Sequence, residues 1–245
     1  MTDDDHGAKP GEQLWEHAHR LNLLALGKLT ADILLRPTMR EYSHLLGAYL
    51  SNYEAHCRGL RCLLRARDTL MMAVVWPQDG TGLLLDSEDV RHDIIKECGA
   101  AFVDSVNSWQ PMMDSLATAT VLLVREHGFK IKAAKSAFEL YQYLEQKPSA
   151  CVAHPAILAF TGRTIEWYVN GIRLMRNQFV HNERVAFIVP RADNVTAIVE
   201  LKKLEHHQTS QSFDLDEFLS YTYARFLLFA HALVEGASQN PLNKR

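Results

Sequence analysis

The sequence predicts a mainly α protein, a multi-helix bundle carrying one small β-hairpin near residues 184–201. Three observations carry that expectation. Apolar residues recur at spacings of three and four along most of the chain, the period of an amphipathic helix. Helix start and stop signals punctuate the pattern at intervals that suit globular helices. Between Arg184 and Leu201 the period changes, and Val, Ile and Ala dominate.

Composition narrows the possibilities. A chain of 245 residues with 47% apolar content fits one large domain or two small ones with a packed core. The net charge of −3 supplies no global basic field, so any RNA contact has to be local. The cysteines Cys57, Cys62, Cys98 and Cys151 are scattered without a C-x-x-C pair, which fits a reducing compartment. The start, MTDDDHGAKPGEQ, is acidic and polar, unlike a signal peptide. No apolar run reaches the ~18 residues of a membrane span. The expected location is the cytoplasm, with no membrane partner and no cofactor. The expected organisation is a polar tail over 1–11, one helical domain over 12–236 and a frayed tail over 237–245.

The elements follow in order. Glu12 to Arg36 carries a stripe of Leu14, Ala18, Leu21, Ala25, Leu29 and Ile33, and Pro37 breaks it. His17 and His19 lie two apart, on different sides of that helix, and do not form a metal pair. Thr38 to Trp76 reads as one long helix or two in line, opened by a Thr38–Glu41 capping box. Tyr42, Leu45, Leu46, Tyr49, Tyr53, Leu60, Leu63, Leu64 and Leu70 supply its core. Arg58, Arg61 and Arg65 form a second stripe, either a solvated face or a strip for phosphates. Trp76 to Gly82 is a loop, and its glycines lack the G-K of a phosphate loop. Ser87 starts a helix that Trp109-Gln-Pro111 interrupts or kinks and that ends at His127-Gly128. Lys130 to Gln146 reads as a shorter helix with lysines at its start, and Pro148 to Pro155 as a linker. After the hairpin, His206-His207 falls in a polar loop with no second ligand cluster, so a metal site is not expected. Asp214 caps a final apolar helix, with Glu217 three on and Gly236 beyond its end.

Thr161 to Asn182 holds the chemistry. It reads as one helix with two stripes. Ile165, Tyr168, Ile172, Met175 and Phe179 form the apolar one. Glu166, Asn170, Arg173, Asn177 and His181 form a polar one rich in amides, guanidinium and imidazole, unlike the Glu, Lys and Gln of a solvated face. It ends in Arg176-Asn177-Gln-Phe-Val-His181. That Arg-Asn-x-x-x-His pattern, on a late helix of an all-helical chain, resembles the motif of the HEPN superfamily. The resemblance covers this helix and its context, with a HEPN-like core around 155–236. It implies a metal-independent endoribonuclease, of the toxin or defence-effector kind, acting as a homodimer with a composite site. RNA is then the substrate, and an antitoxin-type protein is a further partner.

The residue types suit that chemistry. Cleavage through the 2′-hydroxyl needs a base, an acid and a group that stabilises the charged phosphorus centre. His181 can move a proton near neutrality. Arg176 stays charged and grips phosphate oxygens with a fork. Asn177 can orient either, while Arg173 and Glu166 stand as supporting or phosphate-binding candidates. Two other readings stay open: a non-catalytic binding or partner protein of the same fold, and helix C-terminal cations that merely complement the dipole.

Overall fold

The computed structural model describes residues 43–75, 88–151, 154–181, 183–190, 197–203 and 209–239. The expected tail and helix over 1–36, the Thr38–Glu41 cap, the loop at 76–82 and His206-His207 lie outside them. Helices are α1 (Ser43–Val75), α2 (Glu88–Glu126), α3 (Ala137–Gln146) and the short α4 (Pro148–Cys151). A 3-10 turn (Pro155–Phe160), α5 (Gly162–Glu166), a π-helical stretch (Trp167–Ile172) and α6 (Arg173–Val180) follow. Strands β1 (Arg184–Pro190), β2 (Ala197–Lys203) and β3 (Thr209–Asp214) precede α7 (Leu215–Ser238). The protein is mostly helical, with a three-stranded antiparallel sheet in the order β1-β2-β3. No described helix is long and apolar enough to cross a membrane.

The chain divides into two compact units, each assembled from separate stretches. Of the described residues, the first takes 43 and those of 117–167 and 216–239; the second takes those of 44–116 and 168–215.

In the second unit α1 and α2 pack along matching seams. Tyr49, Tyr53, His56, Leu60, Leu63, Arg67 and Leu70 are buried at alternating spacings of four and three. Cys98, Phe102, Ser105, Trp109, Met112 and Leu116 repeat that alternation on α2. Their contacts run in opposite order, which makes the helices antiparallel. The Asn52 amide donates to the Pro111 carbonyl at 3.2 Å, the His56 ring lies 4.3 Å from Trp109, and the Cys98 thiol meets the Ala66 carbonyl at 3.0 Å. The two polar seam positions are satisfied. The Ser108 hydroxyl donates to the Ser105 carbonyl at 2.6 Å, so its oxygen accepts from His56 Nδ1 at 2.7 Å. The buried Arg67 guanidinium reaches the Asp68 carboxylate at 2.7 Å.

The sheet lies against this pair. Gly99 of α2 sits so close to the Ala186 carbonyl on β1 that an added Cβ would clash with the backbone. Phe102 packs edge-on to Phe179 at 6.3 Å and tilted against Phe213 at 6.1 Å. Ala186 and Ile188 on β1, and Ala197, Val199 and Leu201 on β2, alternate inward.

The first unit is closed by a histidine pair. The Ala156 N–H donates to His154 Nδ1 at 3.1 Å, so the His154 proton resides on Nε2. That N–H then donates to His127 Nδ1 at 2.7 Å, and the rings stack at 4.9 Å. The contact joins the turn after α2 to the start of the 3-10 turn. Gly236 of α7 packs on the backbone of Pro155 and Ala156 at the same place.

Several elements differ from expectation. The hairpin is the edge strand β1 and the central strand β2 of a three-stranded sheet. β3 reads TSQSFD and lacks the Val/Ile signal, because an edge strand can be polar and still pair. Trp109-Gln-Pro111 does not interrupt α2, whose 39 residues run through Pro111. The lone missing N–H is tolerated, and the Pro111 carbonyl accepts from Asn52 and from the Ser115 hydroxyl. The 130–146 helix starts only at Ala137, where Ser136 accepts from the Glu139 N–H and Glu139 accepts from the Lys135 N–H. Lys130, Lys132 and Lys135 therefore precede the helix instead of opposing its dipole. The 148–155 linker contains α4 and enters a 3-10 turn. Gly236 lies inside α7, where it permits the close approach to Ala156.

Two outcomes follow. Gly99→Ala gains helix propensity of about 1 kcal/mol yet destabilises, because overpacking against backbone costs about 1–3 kcal/mol or more. Urea unfolding in which Gly99→Ala is neutral or stabilising contradicts this packing. The second outcome concerns pH. Burial lowers the pKa of His56 to about 3, and burial followed by the His127 ring lowers that of His154 to about 4. The unfolded chain protonates both below about 6.5, whereas the folded chain does not until pH 4 and below. Stability is therefore intact above pH 6.5 and falls as pH drops towards 4, by up to ~1.4 kcal/mol per pH unit for each ring. His56→Gln keeps a donor for Ser108 but cannot titrate, and its stability falls less steeply. Equal slopes for variant and wild type would contradict it.

Candidate functional site

The late helix is continuous from Gly162 to Val180 but not uniformly α. Trp167, Tyr168 and Val169 are buried in succession. An α-helix spreads three neighbours over about 200°. The π stretch has more residues per turn and narrows that spread. The apolar stripe continues from its last residue: Ile172 and Phe179 are buried and Met175 half-buried, as expected.

The boundary between the units falls at Trp167 and Tyr168, so Glu166 belongs to the first unit and the Arg176–His181 motif to the second. Arg173, Arg176, Asn177 and His181 share one eight-residue helix and its cap. His181 is the C-cap, and its N–H donates to the Asn177 carbonyl at 3.0 Å. Its imidazole is exposed and makes no hydrogen bond to the described residues. Asn177 is half-buried, and its Oδ1 lies 3.4 Å from an Arg176 terminal nitrogen, a long contact that holds neither group firmly. Arg176 and His181 stand about 140° apart around the helix. Arg176 accordingly leans to the core side: it is half-buried, and its Nε is buried without a hydrogen-bond partner. One copy of this helix does not close both groups on a single phosphate.

A group absent from the expected site surrounds the two arginines. Tyr168 is only 1% exposed. Its phenol is pushed well above its ordinary pKa by burial first and by the Asp114 carboxylate second, while Arg173 and Arg176 pull it down. Asp114 on α2 and both guanidiniums thus lie within electrostatic reach of one phenol. On the same face of α2, seven and four residues before Asp114, Asn107 and Gln110 each bury a side-chain oxygen without a partner among the described residues. A buried acceptor or donor left unmade costs about 1–3 kcal/mol. The signal was present in the sequence as a polar 107-110-114 stripe at helical spacing.

Glu166 is exposed and lines a pocket with Arg163, Trp167, Tyr221 and Arg225. Arg58, Arg61 and Arg65 are all exposed on α1, and Arg61 bonds only its own helix, to the Cys57 carbonyl at 3.3 Å. Leu174 and Val180 flank the motif and are 47% and 46% exposed. Leu174 lies within about 20° of His181 around the helix. Among the described residues no three His, Cys, Asp or Glu side chains gather as metal ligands. Comparison with protein-family models, with curated proteins and with solved structures returns no match.

Proposed function

We propose that this protein is a metal-independent endoribonuclease of the HEPN type, acting as a homodimer in a toxin or defence setting. The observation that carries this reading is the state of the motif. Its imidazole is exposed and unpaired at a helix end, and its guanidinium keeps a donor without a partner five residues earlier. The 2′-hydroxyl of a ribose attacks the adjacent phosphorus, and its proton goes to a base. The 5′-oxygen leaves and takes up a proton, giving a 2′,3′-cyclic phosphate and a 5′-hydroxyl. His181 is the motif's proton carrier. Arg176 neutralises the charge that builds on the phosphorus oxygens. Asn177 orients them, and Arg173 adds a second phosphate contact. Because Arg176 and His181 diverge on one helix, a second copy completes the site across a two-fold axis. The exposed Leu174, beside His181, supplies apolar contact area for that association.

Asp114 favours a second reading. Its carboxylate sits near the phenol that Arg173 and Arg176 also reach, so the arginines serve helix packing and the fold binds a partner without cutting it. The two readings separate on Arg176→Ala. On the first, the variant keeps its helical spectrum and melting temperature and loses about 10²–10³-fold in cleavage rate. On the second, it melts early and no RNA was cut to begin with.

His181→Ala loses about 10²–10⁴-fold in cleavage rate with the fold unchanged, since the side chain is exposed. Mixing inactive His181→Ala and Arg176→Ala chains restores part of the activity if each site draws on two copies. Mixtures as dead as either parent, alongside an active wild type, rule out the composite site. RNA binding by the inactive variants weakens gently with salt, with a slope of about −0.7 per phosphate contact. A slope implying a dozen contacts contradicts the few-arginine interface.

A further inference from the structure

Arg163, Glu166, Trp167, Tyr221 and Arg225 line a surface pocket of about 230 Å³ within the first unit. Two guanidiniums converge there. Neither has an ion pair or hydrogen bond among the described residues, although Glu166 lines the same pocket. With Glu166 paired to neither, both guanidiniums keep their donors open to an anion. The aromatic lining is equally specific. The Arg225 guanidinium lies over the Tyr221 ring at 5.3 Å, and Tyr221 is 55% exposed. Trp167 is buried and its indole N–H is already spent on the Thr164 carbonyl at 3.0 Å, so it offers a ring and no donor. The pocket thus combines forked cations with flat, sequence-indifferent stacking surface.

We propose that this pocket binds one nucleotide unit, with its phosphate between Arg163 and Arg225 and its base against Tyr221. Guanidinium forks match phosphate oxygens. A stacked base uses the exposed ring that a bare anion or an acidic side chain would leave idle. Glu166 opposes the phosphate and sets the affinity low, so removing its charge tightens binding. The nucleotide is either free or one unit of a single-stranded RNA. The site involves neither Arg176 nor His181 and stands apart from the cleavage reading.

The test is calorimetric titration of the full chain carrying His181→Ala, so that no RNA is consumed. The probes are adenosine and uridine 5′-monophosphates, inorganic phosphate and a short single-stranded oligoribonucleotide. Nucleotides bind about fivefold or more tighter than inorganic phosphate, the least that one stacked base provides. Tyr221→Ala abolishes that preference and leaves phosphate binding in place. Arg163→Gln and Arg225→Gln weaken every probe about tenfold, and Glu166→Gln strengthens inorganic phosphate. Melting curves identify any variant that has lost its fold. An oligonucleotide that binds no tighter than a mononucleotide identifies free nucleotide as the ligand; tighter binding that Tyr221→Ala removes identifies the strand. Equal affinity for nucleotide and phosphate, or affinities unmoved by Tyr221→Ala and Arg225→Gln, overturns the proposal. Nucleotide binding by a chain whose wild type cuts nothing would leave this site standing and remove the cleavage reading alone.

Discussion

The burial of Trp167, Tyr168 and Val169 in one unbroken run sets the phase of everything after it. The π stretch places these three over a narrower arc than an α-helix would, and the boundary between the two units falls within the run, between Trp167 and Tyr168. Ile172, its last residue, and Phe179 are buried, and the remaining α6 positions follow by rotation. Arg176 falls at the edge of the apolar stripe, where its Nε loses water without gaining a partner. His181 falls on the open side, at the last turn, with its ring in solvent. The motif's two functional groups are therefore unlike in environment before any ligand arrives.

That difference has chemical consequences. A half-buried guanidinium acts through a medium less screened than water, so it interacts more strongly with a phosphate. An exposed imidazole keeps access to the proton exchange a general acid or base needs. Asp114 and Tyr168 complicate the picture, because they offer the arginines a structural occupation on the core side. The second unit has other polar groups in its seams. His56 and Arg67 occupy positions that the four-three alternation reserves for apolar side chains, and each is satisfied, by Ser108 and by Asp68. Asn107 and Gln110 are not satisfied in this way. The unsatisfied oxygens lie on the α2 face that carries Asp114, which singles that face out from the rest of the helix pair.

Much of the fold was legible because periodicity reports burial directly. The stripes through Tyr49 to Leu70 and through Ile165 to Phe179 are the buried faces found. The strands at 184–190 and 197–203 were readable from Val and Ile. β3 was not, since Thr-Ser-Gln-Ser carries no apolar alternation and pairs through its backbone alone. Gly236 and Pro111 misled for one reason: each has a strong local meaning that tertiary packing overrode. Ser136 outranked the lysine-rich stretch before it, because its hydroxyl and Glu139 together satisfy helix-start donors. In the site, Arg176, Asn177 and His181 were legible as a spacing. The separation of Glu166 from them was not, because the unit boundary crosses the helix without a break in its pattern. His56 and Arg67 were passed over as core because polar side chains in a seam look like interruptions until their partners are known.

We propose that His181 and Arg176 serve cleavage through the ribose 2′-hydroxyl. The chemistry of the cut ends tests it most directly. Purified protein incubated with a defined single-stranded RNA, without added metal, should yield 2′,3′-cyclic phosphate and 5′-hydroxyl termini by mass spectrometry, and His181→Ala should yield neither. Products ending in 3′-hydroxyl and 5′-phosphate, or intact RNA after prolonged incubation with folded wild-type protein, would contradict it.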